Sequence, residues 1–230
     1  MNADVLPLVA GHPALDLVNS KERGIPLPNC DAHDFLVDTD ALLVWARRAG
    51  LIADAEAQRV RRSWARHPGS ARDALRAVRK IREALHVALL AATGLGPTDA
   101  RARELALEHL HAQWLAAVSR ARLVINAGGE PPIRLDLSTD PAFLLADRAA
   151  DAALDILRSD ELARLRCCPI DSGGCGWLFL DRTRNRSRRW CRMADCGTQV
   201  KARRLTERRR AARTSSPSNR PTNNSTGRLG

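Results

Sequence analysis

The sequence predicts a mainly α protein: a multihelical N-terminal domain carrying a small β-hairpin, followed by a compact C-terminal module built on cysteines. Three observations predict this. Apolar residues recur at helical spacing through most of the first 160 positions. The composition, 44% hydrophobic but only 3% aromatic and without tyrosine, suits an alanine- and leucine-rich helical core. Four cysteines, Cys168, Cys175, Cys191 and Cys196, crowd into one arginine-rich stretch near the C-terminus. A chain of 230 residues can bury one core and support a small accessory unit. The expected division is 1–160, 161–213 and a disordered tail over 214–230 rich in Ser, Pro, Asn and Thr.

In order along the chain, Val5 to Val9 and Leu15 to Val18 are short extended candidates on either side of the turn Gly11-His12-Pro13, and 20–38 reads as a loop. A helix is expected from Ala41 to Ala49, capped by Asp40 and stopped at Gly50, with Trp45 as a core anchor. Ser70 to Thr93 reads as a long helix, with Ser70 and Asp73 in a capping-box pattern and Leu75, Val78, Ile81, Leu85 and Leu89 in step. Another follows from Asp99 to Arg120, with Leu105, Leu110, Trp114 and Val118 inward. Arg122 to Ile125 and Ile133 to Leu137 alternate like strands around Asn126-Ala127-Gly128-Gly129, the signature of a hairpin. Pro141 opens a last helix through Leu157. The longest apolar run, Leu85 to Leu95, is interrupted by His86 and Gly94 and falls short of the roughly 18 residues that span a membrane.

The cysteines fall as Cys-x6-Cys-x15-Cys-x4-Cys. Four thiolates fill a tetrahedral zinc shell and leave no open position, so the expected cofactor is one structural Zn2+. Cys175-Gly176 and Cys196-Gly197 repeat the Cys-Gly step that lets a backbone turn and aim amides at sulfur. Cys167 adjoins Cys168 and is the alternative first ligand; Pro169 favours Cys168. Disulfides are the other alternative. The N-terminal residues do not read as a secretion signal, so the expected location is cytoplasmic, where thiols stay reduced.

Between the cysteine pairs, Trp177 to Leu180 is a strand signal, and Arg188 to Cys191 reads as its partner. Thr198 to Leu205 reads as a helix with Thr198 as cap. Knuckle, hairpin, knuckle and helix in that order resemble a treble-clef zinc finger. Charge is divided in the same way: residues 1–160 carry 20 Lys+Arg against 21 Asp+Glu, whereas 161–230 carry 17 against 5. A near-neutral body joined to a cationic end is the asymmetry expected of a chain whose one end meets a polyanion. The expected backbone contacts are Arg182, Arg184, Arg186, Arg188 and Arg189, with Arg203 and Arg204 on the helix and Gln199 placed to read adenine. DNA is the expected partner. RNA is the alternative, because arginine and the rings of Trp177 or Trp190 serve single strands equally well.

His109 and His111, two apart on a helix, point about 200° away from each other and read as surface histidines rather than ligands. Cys30 reads as incidental. With no phosphate-binding loop or nucleophile elbow, no enzyme is expected; a small-molecule enzyme centred on 1–160 is the least favoured alternative.

Cys175-Gly176-Trp177-Leu178-Phe179-Leu180-Asp181, Asn185-Arg186-Ser187-Arg188-Arg189-Trp190-Cys191, Met193-Ala194, Cys196-Gly197 and Lys201-Ala202-Arg203-Arg204 resemble the CGNR zinc finger. Upstream, Gly11-His12-Pro13-Ala14-Leu15-Asp16-Leu17-Val18-Asn19, with Leu42, Trp45, Ala49, Gly50 and Leu51, is similar to the ABATE domain that usually precedes that finger in stress-induced transcription regulators. The resemblance implies a bacterial, nucleoid-associated, DNA-binding transcription regulator whose N-terminal domain senses a ligand or stress signal. Thr198 and Gln199 stand where the family has Asn and Arg, which removes one candidate phosphate or guanine contact beside the last cysteine.

Overall fold

The computed structural model describes residues 3–22, 34–96, 99–129 and 132–214, with the backbone alone at 204 and 209–214. Cys30 and the tail beyond 214 lie outside the described residues.

After a single 3-10 turn at Ala3–Val5, the first regular element is helix α1, Pro13–Asn19. His12 caps it, its Nδ1 accepting from the Ala14 amide, and Pro13 occupies the first turn, where no amide is needed. The extended segments expected at 5–9 and 15–18 are therefore replaced by a turn, a coil and a helix. The physical reason is burial: Ala14 through Asn19 are all buried, so α1 has no polar face and no readable period. α1 sits between helix α4, Pro68–Thr93, helix α6, Leu144–Arg158, and strand β4, Leu178–Leu180.

Helix α2, Thr39–Arg48, is capped by Asp38, which accepts from the Ala41 amide, so the cap lies two residues before Asp40. Trp45 is buried at its centre. Helix α3, Asp54–Arg66, had no sequence signal strong enough to mark it, because only Val60 and Trp64 are buried along its length. Glu56 holds it in place, accepting from the Ala53 amide and from both nitrogens of Arg148 on α6 at 2.6 and 2.7 Å. The Arg148 hydrogen bonds keep the Glu56 carboxyl below its usual range.

Helix α4, Pro68–Thr93, starts two residues before the expected Ser70 and ends at Gly94, whose φ of 65° suits the helix stop. Val78, Ile81, Leu85 and Leu89 form its buried stripe as the spacing predicts. Helix α5, Ala100–Ser119, is capped by Asp99; Leu110 and Ala117 face the core, but Leu105 is 47% exposed instead of inward. Strands β1, Arg122–Ile125, and β2, Ile133–Asp136, pair antiparallel with Leu123 opposite Leu135 and Ile125 opposite Ile133, as the alternation predicts. Helix α6, Leu144–Arg158, packs on α4 and α5. Arg120 pairs with buried Asp147 across that junction, and Trp114 Nε1 donates to Asp151. His111 is exposed; His109 is half-buried, and its imidazole is held below the usual pKa by burial and by Lys80. Among the described residues no helix is long and apolar enough to cross a membrane.

The C-terminal segment packs onto this body. Strand β3, Leu165–Cys167, pairs antiparallel with β4, Leu178–Leu180. Leu165, Leu178 and Leu180 belong to the same core cluster as the helices. The other edge of β4 is covered: Asn19 hydrogen-bonds Leu178, and the Leu180 amide donates to the Ala10 carbonyl. Helix α7, Thr198–Thr214, leaves the cysteine cluster.

Candidate metal centre and nucleic-acid interface

The first knuckle follows β3. Residues 168–176 fold back so that the Cys168 amide donates to Trp177 O and the Gly176 amide to Cys168 O. Gly176 takes φ 77°, the left-handed region that glycine occupies at little cost. A side chain at Gly174 would lie 2.7 Å from Cys168 Sγ, a requirement that the two Cys-Gly steps do not reveal. The second knuckle is a wide turn at Met193–Gly197 with an i to i+5 bond from the Gly197 amide to Arg192 O. Gly197 earns its place by close packing: a Cβ there would lie 2.3 Å from Met193 Sδ and 3.2 Å from Trp190. Thr198 is no cap, since α7 continues directly from this turn and its hydroxyl donates back to Met193 O.

These turns bring Cys168, Cys175, Cys191 and Cys196 together, with all four sulfurs within 4.8 Å of one another. Cys175 and Cys191 sulfurs are 3.4 Å apart, and Cys191 and Cys196 3.7 Å. A tetrahedral shell with metal–sulfur bonds of about 2.3 Å has sulfurs about 3.8 Å apart, so the cluster fits such an ion. Cys167 stands aside, its thiol directed at the carbonyls of Cys168 and Gly176, and burial pushes its pKa up. None of the five described cysteines is in a disulfide. Packed sulfurs cannot all carry charge unaided: hydrogen bonds from its neighbours push the Cys168 thiol pKa down, while Cys168 and the other sulfurs push Cys175 up. A dication at the centre reverses that penalty and lets all four ionise. Phe179, Trp177 and Trp190 pack around the sulfurs.

The strand expected at 188–191 does not form; β4 pairs with β3 instead. Asp181 and Arg188 account for the difference. Asp181 is fully buried and accepts from the Thr183 amide and hydroxyl and the Arg188 amide, folding 181–188 into a tight loop. Burial opposes its charge, but these hydrogen bonds hold the carboxyl below its usual range. The Arg188 guanidinium donates to the carbonyls of Val9, Leu180, Trp190 and Cys191 and lies 4.5 Å from the centroid of the Phe179 ring. The Arg188 guanidinium, expected as a phosphate contact, is thus engaged by main-chain carbonyls and the Phe179 ring.

The other basic candidates divide by what they touch. Arg182 is exposed but makes a two-pronged ion pair with Glu161 at 2.6 and 2.7 Å. Arg184 and Arg186 are exposed on the loop, Arg186 with φ 48°. Arg189 is exposed, reaches Ser172 Oγ at 3.2 Å and lies over Trp190. Gln199 and Arg203 are exposed and share one side of α7 by their four-residue spacing. Arg204 lies on α7 with its side chain outside the described residues. After Val200, which is buried, every described side chain of α7 is exposed. The surface around the cluster is therefore arginine-rich on both the loop and the helix.

The upstream motif has structural partners too. Asp16 accepts from the Ala10 amide at 3.1 Å, and His12 Nε2 lies 3.1 Å from Asp155. Both contacts secure the segment that Leu180 and Arg188 touch at Ala10 and Val9. Residues 164–209 match the family model of the CGNR zinc finger. Residues 11–160 match the model named ABATE, described as "Putative stress-induced transcription regulator". No curated protein matches the chain. On a match that spans more than half its length, the chain belongs to the ABATE family, with a CGNR zinc finger following the ABATE domain.

Proposed function

We propose that this chain is a transcription regulator that binds duplex DNA through a structural Zn2+ finger, with residues 1–160 as the unit that senses a ligand or stress signal. The observation that carries the reading is the set of exposed arginines, Arg184, Arg186, Arg189 and Arg203, around a buried four-cysteine cluster. Zinc is the ion whose closed thiolate shell suits a cluster with no catalytic opening. It would be held by Cys168, Cys175, Cys191 and Cys196, and would supply charge neutralisation and a fixed start for α7. An arginine-rich helix of 17 residues, about 25 Å long, with little of its surface packed, suits a groove or a phosphate ridge. Residues 161–213 act as the binding unit and draw their position from the body through β4.

Duplex DNA is favoured over single-stranded RNA because Trp177 and Trp190 are both partly buried around the sulfurs, leaving less ring surface for stacking bases. The metal-loaded protein, offered fragmented genomic DNA and cellular RNA in parallel selections, should enrich discrete DNA sites. Enrichment of RNA alone would replace the reading with RNA binding.

A further inference from the structure

We propose that the cleft between α4 and α5 binds a soluble small-molecule monoanion with an apolar body. The inference deepens the sensing role proposed for residues 1–160 and rests on it. The cleft has a volume of about 770 Å³, within the range of small-molecule sites. Its chemistry is two-sided. Leu75, Val87 and Ala106 line it with Leu105, the leucine that helical spacing would turn inward and that the fold leaves on the cleft wall. Arg72, Arg76 and Lys80, four residues apart on α4, place three cations along the other side.

Charge bookkeeping within the cleft favours an anion. Its two lining carboxylates, Asp34 and Glu83, are both matched: Asp34 takes two hydrogen bonds from Arg82 at 2.7 Å, and Glu83 is met by Lys21 and Arg82. Arg79 donates to the carbonyls of Leu36 and Val37. Arg76 is paired with Asp73 outside the lining. Among the described residues, Arg72 and Lys80 remain as excess positive charge beside an apolar wall. His109 adds a polar anchor, because it lines the cleft and its Nε2 is shielded from solvent with no hydrogen-bond partner among the described residues. Burial and Lys80 hold that imidazole below its usual pKa, and the excess charge resides in the α4 ridge.

The cleft also reaches the finger by a short chain of contacts. Arg82 in its wall donates to Ser20 Oγ at 3.1 Å, and Ser20 directly follows Asn19, which holds Leu178 of β4. A ligand that displaces Arg82 therefore acts on the residue next to the clamp, which is a physical route for coupling the two ends.

Octanoate, 1-octanol and octylammonium share one tail and differ in charge. Titrated calorimetrically into the zinc-loaded full chain, octanoate should bind one per chain and about tenfold tighter than 1-octanol, as expected of one charge-assisted hydrogen bond, with octylammonium weakest. Arg72→Glu with Lys80→Glu should abolish the advantage of octanoate and leave 1-octanol unchanged. Leu105→Trp should fill the wall and weaken both, and thermal melts confirm that each variant is folded. Equal affinity for octanoate and 1-octanol, or an octanoate affinity untouched by the α4 variants, overturns the site. Octanoate binding as described in a protein that binds no duplex DNA would leave the site standing and remove the regulator reading instead.

Discussion

The carboxamide of Asn19 completes a main-chain pair with Leu178: Nδ2 donates to the Leu178 carbonyl at 2.8 Å and Oδ1 accepts from its amide at 2.9 Å. A side chain at the end of α1 thus takes the role of a neighbouring strand for β4, whose other edge carries β3. Both groups are buried, so neither half can be replaced by water without rearrangement.

Asn19→Ala should therefore strand a buried amide and a buried carbonyl and cost about 2–4 kcal/mol. Urea unfolding followed by tryptophan fluorescence checks this. Because Leu165, Leu178 and Leu180 share the helical core, the loss should appear as an earlier single transition; an early separate transition of the finger alone would show the two ends to be independent.

The four-cysteine cluster carries its own prediction. The purified, reduced protein should hold one zinc per chain by elemental analysis. Cys168→Ser should lose it, while Cys167→Ser should keep it, since the Cys167 thiol faces carbonyls rather than the other sulfurs. The reverse pattern would move the first ligand by one residue.

Arg188 and its neighbours allow a clean separation of stability from binding. Arg188→Ala leaves four carbonyls without their donor and removes the cation over Phe179, so it should destabilise the fold by about 2–4 kcal/mol. Arg184→Ala, on the exposed loop, should change stability by no more than about 0.5 kcal/mol. Thermal melts of the two variants measure the contrast.

Asp16 predicts an unusual pH profile. Burial raises its carboxyl to about 6, against hydrogen bonds from the Ala10 and Val9 amides and the charge of Arg48. The folded chain then binds this proton more readily than the unfolded one, so the contribution of Asp16 is full below about pH 4 and is lost as pH rises through 6. The loss amounts to about 3 kcal/mol. Asp34, Glu56 and Asp181 run the other way, with carboxyls held below their usual range, and weaken the fold only at lower pH. Between pH 5 and 7 the urea midpoint of the native chain should fall relative to that of Asp16→Asn, in which the opposite shift of His109 remains.

What could be read from the sequence followed from locality. The stripe of α4, the β1–β2 hairpin and the four-cysteine cluster are each written within a few dozen residues, and the spacing alone marks them. The α1 helix is hidden because every residue after Pro13 is buried, which erases the amphipathic period. The α3 helix is hidden for the opposite reason, with only Val60 and Trp64 as apolar anchors. Pairing of β4 with β3 and the recruitment of Arg188 into the fold depend on Asn19, Val9 and Ala10, more than 150 positions away. An arginine that binds carbonyls is indistinguishable by type from one that binds phosphate, so Arg188 reads in sequence like Arg186.

The proposed role of the exposed finger arginines is to neutralise phosphates on duplex DNA. The measurement that tests it most directly is the salt dependence of duplex affinity for the zinc-loaded full chain and for Arg184→Ala/Arg186→Ala/Arg189→Ala, followed by fluorescence anisotropy. Each lost phosphate contact removes about 0.9 from the log-log slope, so three contacts predict a slope shallower by about 2–3 and weaker binding to all sequences alike. A triple variant with the native slope and native zinc content would contradict the account.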